Sequence, residues 1–200
     1  MVVPNIERMT SLFEAVSRED VVRFIGENPV AWIVPVVDPA SAILMPLLWE
    51  PAAAGDTECL LGHLPRSAPL LDCFRRNTDT VCLFLGPHSY IPPGWVSKPD
   101  WAPTWNFVSL KISGRLVLDD GLTEEAVRKL VDHMEILAGS GWKVENLGER
   151  FHTLLKGIIG FRLQIDRIQP RFKVGQDETE RSRAEISSAL EQHPLQAWMR

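Results

Sequence analysis

Three tryptophans, five prolines, a tyrosine and a histidine fall within residues 86–106, GPHSYIPPGWVSKPDWAPTWN. Tryptophan and proline at this density favour holding a shape and presenting flat rings over bond-breaking chemistry. Trp95, Trp101 and Trp105 offer broad amphipathic ring faces that suit a planar ligand or a subunit interface, and Tyr90 shares that character. Proline fixes its own φ and restricts the residue before it, so the turns at residues 91–94 and 102–104 are held in one conformation at little entropic cost. His63 and His88 stand at strand ends and could hydrogen-bond a ligand's polar edge or the protein's own backbone. Neither has a nucleophile or paired acid beside it that would make it a catalytic base, so no catalytic residue is nominated. Cys59, Cys73 and Cys82 form no C-x-x-C pair and no zinc-type spacing with histidine. They read as buried thiols, with no metal site.

No glycine-rich phosphate loop occurs, so a nucleotide would be held by side chains. Arg66 and Ser67 lie between a strand ending near Leu64 and a helix beginning near Pro69. Backbone amides at that helix start could add donors to the arginine fork. The plainer alternative is an exposed loop arginine and a capping serine. Lys173 could approach a phosphate or a partner subunit, although an exposed strand-end lysine is the default. Trp105, with Asn106 and Thr104 beside it, could equally pack in a core or an interface.

These residues must be positioned by the runs around them. Ser17 with Asp20 predicts an N-cap, and Val21, Phe24 and Ile25 form the buried face of a short helix ending near Asn28. Residues 30–37 and 42–49 predict an opening hairpin, residues 58–64 a third strand, and residues 69–76 a helix. Residues 80–85, TVCLFL, form a continuous apolar run that suits a strand covered on both faces. Strict alternation over residues 108–118 and 159–166 predicts two long half-buried strands. Thr123 is expected to cap a helix whose Val127, Leu130, Val131, Met134 and Leu137 share one face. Further helices are expected over residues 147–155 and 177–192. The pattern is mainly β with appended α-helices, an α+β barrel or sandwich, and no 20 to 50 residue repeat appears.

GPHSYIPPGW, PTWNF, GHLPRSAP at residues 62–69 and LLKGIIGFRLQIDRIQPRFKVGQ at residues 154–176 together resemble the FMN-binding negative transcriptional regulator family (PaiB-like). The blocks cover most of the chain in the family's order. The resemblance implies an FMN-binding split β-barrel, a six-stranded antiparallel Greek-key barrel that works as a homodimer with flavin at the subunit interface. It implies FMN contacts from Arg66, Ser67, His63, His88, Tyr90, Trp95, Thr104, Trp105, Asn106 and Lys173. The chain departs from the family's pattern at Met45 (for a histidine), Ala68 (asparagine), Gly94 (serine) and Val96 (tyrosine). Each change removes a polar group, which predicts an altered or emptied flavin site. Two other readings stay open: a flavin-dependent oxidoreductase acting on a small molecule, and a degenerate barrel that binds another planar ligand such as haem or serves only as an interaction module.

Composition narrows the classes. Two hundred residues at 45% hydrophobic content suffice for one split-barrel domain over residues 1–200 with an N-terminal helix and a C-terminal helical extension from about residue 175. A net charge of −5 gives nonspecific phosphate-backbone binding no support, so DNA enters only by family analogy. The N-terminus has no basic region followed by an apolar stretch, and no run of about 18 apolar residues occurs. A cytoplasmic protein without a membrane span is the expectation.

Overall fold

The computed structural model describes residues 12–52 and 57–199. Ser17 accepts from the Asp20 amide at 3.0 Å and opens α1 (Arg18–Glu27), whose Phe24 and Ile25 are fully buried. A serine side chain is a good acceptor for these orphan amides, and the acidic pair Glu19 and Asp20 suits the positive helix end. The strands are β1 (Val30–Pro35), β2 (Ile43–Pro46), β3 (Leu48–Glu50), β4 (Cys59–Pro65), β5 (Asp79–Ile91), β6 (Thr104–Asp119) and β7 (Ile158–Lys173). They form one antiparallel sheet in the order β2-β1-β5-β6-β7-β4-β3.

β2 and β3 stand at opposite edges of that order, yet only Leu47 separates them in the chain. One residue spans a few ångströms, so the two edges must meet and the sheet must curl closed. Counted as one bent strand, residues 43–50 restore the six-stranded split barrel that the family resemblance implies. Leu47 points into the core at 0% exposure, and its amide donates to the Pro29 carbonyl at 2.8 Å. The bend therefore leaves no buried donor unpaired at that point.

Several sequence expectations change in detail. The long aromatic loop is shorter than residues 86–106, because β5 runs on to Ile91 and pairs with β6 from His88↔Phe107 to Ile91↔Thr104. A register shift between Leu85 and His88 absorbs Pro87, which has no amide to give the ladder. Gly86 is required there, since a Cβ would lie 2.3 Å from the Phe24 ring. The loop proper is residues 92–103. Residues 80–85 are covered on one face only: Leu83 is 42% and Leu85 59% exposed. The helix expected over residues 69–76 shrinks to α2 (Leu71–Phe74), a single turn. Thr123 begins α3 (Thr123–Ala138) without capping it; its hydroxyl accepts from the Gly160 amide at 2.9 Å and ties the helix to β7. Of the α3 apolar row, Val127, Leu130 and Val131 are half-buried against the sheet, whereas Met134 and Leu137 are exposed. α4 is Glu149–Leu155 and α5 is Glu180–Ala189.

The C-terminal segment belongs to the same core as the barrel. Ile186, Leu190, Leu195 and Trp198 are buried in one cluster with Phe24, Phe84 and Phe172. The Trp198 ring lies 5.8 Å from Phe24 and 5.4 Å from Phe172, and the Arg23 guanidinium sits 3.7 Å over its face. Among the described residues no helix is long and apolar enough to cross a membrane.

Candidate functional site: an aromatic platform on the outer barrel face

Period-two alternation sorts the ends of β5 and β6 into two faces. Ile91, Asn106 and Val108 are buried, while His88, Tyr90 and Trp105 point outward. Tyr90 stands opposite Trp105 in the register, and their rings meet edge-on at 5.8 Å. The His88 ring lies 6.3 Å from Trp105, with Nδ1 held 3.0 Å from the Gly86 carbonyl. Trp105 is 54% and Tyr90 45% exposed. Lys173, at the end of β7 opposite Phe107, donates to the Thr104 hydroxyl and lies 6.0 Å from the Phe13 ring. Flat rings with a cation at their border suit a planar ligand that carries an anionic group.

The remaining predicted contacts lie elsewhere. His63, Arg66 and Ser67 sit at the end of β4, beside the start of β7, whereas Lys173 is at the far end of that strand. Arg66 is ion-paired with Asp120, and its amide donates to the Gly157 carbonyl at 2.9 Å. Ser67 is exposed in the turn. The helix-start donors expected beside them are weak, because α2 is one turn long with Asp72 in that turn. His63 faces away from the buried Leu64 side of β4; burial holds its imidazole below the usual value and therefore neutral at pH 7. A single chain thus gathers His88, Tyr90, Thr104, Trp105, Asn106 and Lys173 at one end and holds His63, Arg66 and Ser67 at the other.

The departures from the family pattern take a different meaning in three dimensions. Ala68 and Val96 are each 8% exposed within the core cluster, and Met45 packs against it. Their apolar character follows from where they point in this barrel. Gly94 is open, and a Cβ added there would have no atom within 4 Å. Trp95 packs its partly buried ring against the same core, in the short 3-10 turn Pro93–Trp95.

Residues that sequence reasoning missed complete the outer face. Register places Trp32 of β1 between Leu44 of β2 and Leu83 of β5. Trp32 is 50% and Leu44 48% exposed, and Leu83, Leu85, Tyr90 and Trp105 are exposed as well, the last two beyond the bulge and beside His88. A separate cleft of about 470 Å³ lies between α3 and the sheet, lined in part by Cys59, Asp119 and Gln164. Its cations are already compensated: Lys129 pairs with Glu50 at 2.7 Å and Glu125 at 2.8 Å, and Arg162 lies 3.5 Å from Glu125.

The residues present fit a flavin. Rings and a cation share one face, and the buried His63 Nδ1 has no hydrogen-bond partner among the described residues; Asn106 Nδ2 also lacks one but lies on the inner face of β6. The curled antiparallel sheet has the architecture of a split barrel, with an aromatic platform on its outer face. Residues 9–167 match the family described as "Putative FMN-binding domain", and the chain belongs to that family. It is 26% identical over 171 residues to the protease synthase and sporulation protein PAI 2 of Bacillus subtilis, covering 84% of this chain and 81% of that protein. Its fold is similar to that of the flavocytochrome Anf3 from Azotobacter vinelandii, with a TM-score of 0.56, 16% identity, and 82% and 75% of the two chains covered. It is also similar to Rv2991 from Mycobacterium tuberculosis, with a TM-score of 0.54, 8% identity, and 83% and 91% covered. The family supports FMN as the cofactor.

Proposed function

We propose that this protein is a homodimeric FMN-binding protein of the PaiB-like regulator type, with flavin held where two copies meet. One observation carries the reading. Residues 30–37 and 80–85 are apolar on both faces, the pattern of strands covered on both sides, yet one chain covers only the inner face and leaves Trp32, Leu83 and Leu85 exposed. A second copy seated there supplies the missing cover.

The same arrangement accounts for the divided ligand set. Tyr90, Trp105, His88, Thr104 and Lys173 of one copy receive the ring system, aided by Trp95 from the adjoining loop, while Asn106 points into the barrel beneath them. His63, Arg66 and Ser67 of the other copy close on the phosphate end, where Arg66 must exchange Asp120 for the ligand. Bound FMN supplies redox chemistry that no side chain here provides. Likeness to a protein named for protease synthesis and sporulation supports a regulatory role.

The test is complementation between variants. FMN titration, followed by flavin absorbance and fluorescence, is expected to show weak binding for Arg66→Ala alone and for Trp105→Ala alone. In a twofold dimer each mixed pair rebuilds one intact site, so unfolding and refolding the two variants together should restore about a quarter of the wild-type sites. If mixing restores none, each site is built within one chain. A wild-type protein that ignores FMN overturns the flavin reading.

A further inference from the structure

Two carboxylates of the C-terminal segment hold the tryptophan loop by its polar atoms. Glu185 of α5 accepts from the Ser97 amide at 2.8 Å and from the Ser97 hydroxyl at 2.5 Å. Those bonds, with Arg181 behind them, hold the Glu185 carboxyl below its usual range, so it is fully ionised at neutral pH. Glu178 accepts the Trp101 indole N–H on both oxygens, at 3.0 and 3.1 Å. Four hydrogen bonds therefore join residues 97 and 101 of one loop to residues 178 and 185 of one segment, and those to an ionised acceptor are the stronger kind.

The segment that carries these carboxylates is itself fixed. Gly175 adopts φ +88° and turns the chain out of β7. Gln176 locks the turn, accepting from the Val174 amide at 2.8 Å and donating to the Phe172 carbonyl at 2.5 Å. Beyond it, Ile186, Leu190, Leu195 and Trp198 are buried in the barrel core. The loop, for its part, runs from Ile91 to Thr104, so its two ends continue directly into Tyr90 and Trp105. Loop, platform and C-terminal segment form one mechanical unit, and all of that segment lies past residue 167, where the family match ends.

We infer that Glu178 and Glu185 are positioning residues, and that the C-terminal segment is a clamp holding the tryptophan loop in the geometry in which the Tyr90–Trp105 platform takes its ligand. The effect on affinity rests on the flavin reading above; the clamp itself does not. The doubly substituted Glu178→Ala/Glu185→Ala protein separates the two. Hydrogen exchange by mass spectrometry is expected to speed at least tenfold over residues 92–103, with β6 and β7 unchanged. FMN binding should weaken about tenfold, while the thermal midpoint moves by only a few degrees, because both carboxylates are half-buried at the rim and outside the apolar core. Glu178→Gln/Glu185→Gln, which keeps one acceptor oxygen at each position, should restore part of both effects.

Unchanged exchange in the loop overturns the clamp. Faster exchange with unchanged FMN affinity overturns its role in positioning the platform. If wild-type protein takes up no FMN, the flavin reading fails and the positioning role fails with it, while loop exchange still decides whether the clamp exists.

Discussion

Cys82 has no exposed surface, standing between Ile33 and Ile112 on neighbouring strands. Burial pushes its thiol pKa up to about 12, because an interior without a cation or donor cannot carry the thiolate charge. The unfolded chain gives up that proton near pH 8.5 to 9, roughly the value for a free thiol. Between there and about pH 12 the folded state binds the extra proton, so stability falls as pH rises, by up to about 1.4 kcal/mol per unit. Urea unfolding from pH 8 to 11 should show this decline, and Cys82→Ala should have the shallower slope even though its lost volume lowers stability throughout. An equal slope in the variant would mean that other groups carry the effect. Single residues like this were legible only as types. The sequence marks Cys82 as a buried thiol and Asn106 as a polar neighbour of Trp105. The β6 alternation extends inward to Asn106, but it does not say that His88 and Tyr90 share the Trp105 face, because that depends on the register shift between Leu85 and His88 on the partner strand.

Among the elements, β6 and β7 were the most legible, since an alternating pattern over ten residues has only one regular solution. β5 was less so. Gly86 and Pro87 read as punctuation, yet the strand passes through them by means of a bulge, and only the partner strand reveals it. Gly114 shows the same limit from the other side: it sits mid-strand at a second register shift, and a Cβ there would lie 2.0 Å from the Gln164 carbonyl oxygen. Backbone cannot yield as a side-chain tip can, so Gly114→Ala must pry β6 from β7 where the ladder is longest. A loss of about 2 to 4 kcal/mol is expected, in the range of overpacked and strained sites. Chemical denaturation of the variant measures it. A change under about 0.5 kcal/mol would mean that the strand slips its register at almost no cost. Gly94→Ala is the matched control, because no atom lies within 4 Å of the added carbon.

At the scale of the whole molecule the outer face matters most. Apolar runs without alternation usually lie inside α/β sheets, where helices cover both faces. Among the described residues no helix covers the outer face of β1, β2 and the first half of β5, since α3 packs on β4 and β7. Trp32, Leu44, Leu83 and Leu85 therefore face outward together, each at least 42% exposed. A twofold interface of the usual size, about 800 Å² from each partner, would be centred naturally on Leu83. Its cross-strand neighbours are Trp32 and Lys111. Leu83→Glu should split such a dimer, because the substitution buries two carboxylates against each other across the twofold, at a desolvation cost greater than the neighbouring Lys111 returns. The monomer tolerates the change, since the position is open to water there and Lys111 lies across the strand to meet the new charge. Sedimentation should accordingly give a dimer for wild type and a monomer for Leu83→Glu, with far-UV circular dichroism unchanged and FMN binding lost together with the dimer. A Leu83→Glu protein that stays dimeric would move the interface off this face, and one that becomes monomeric yet keeps FMN would place the whole flavin site within a single chain.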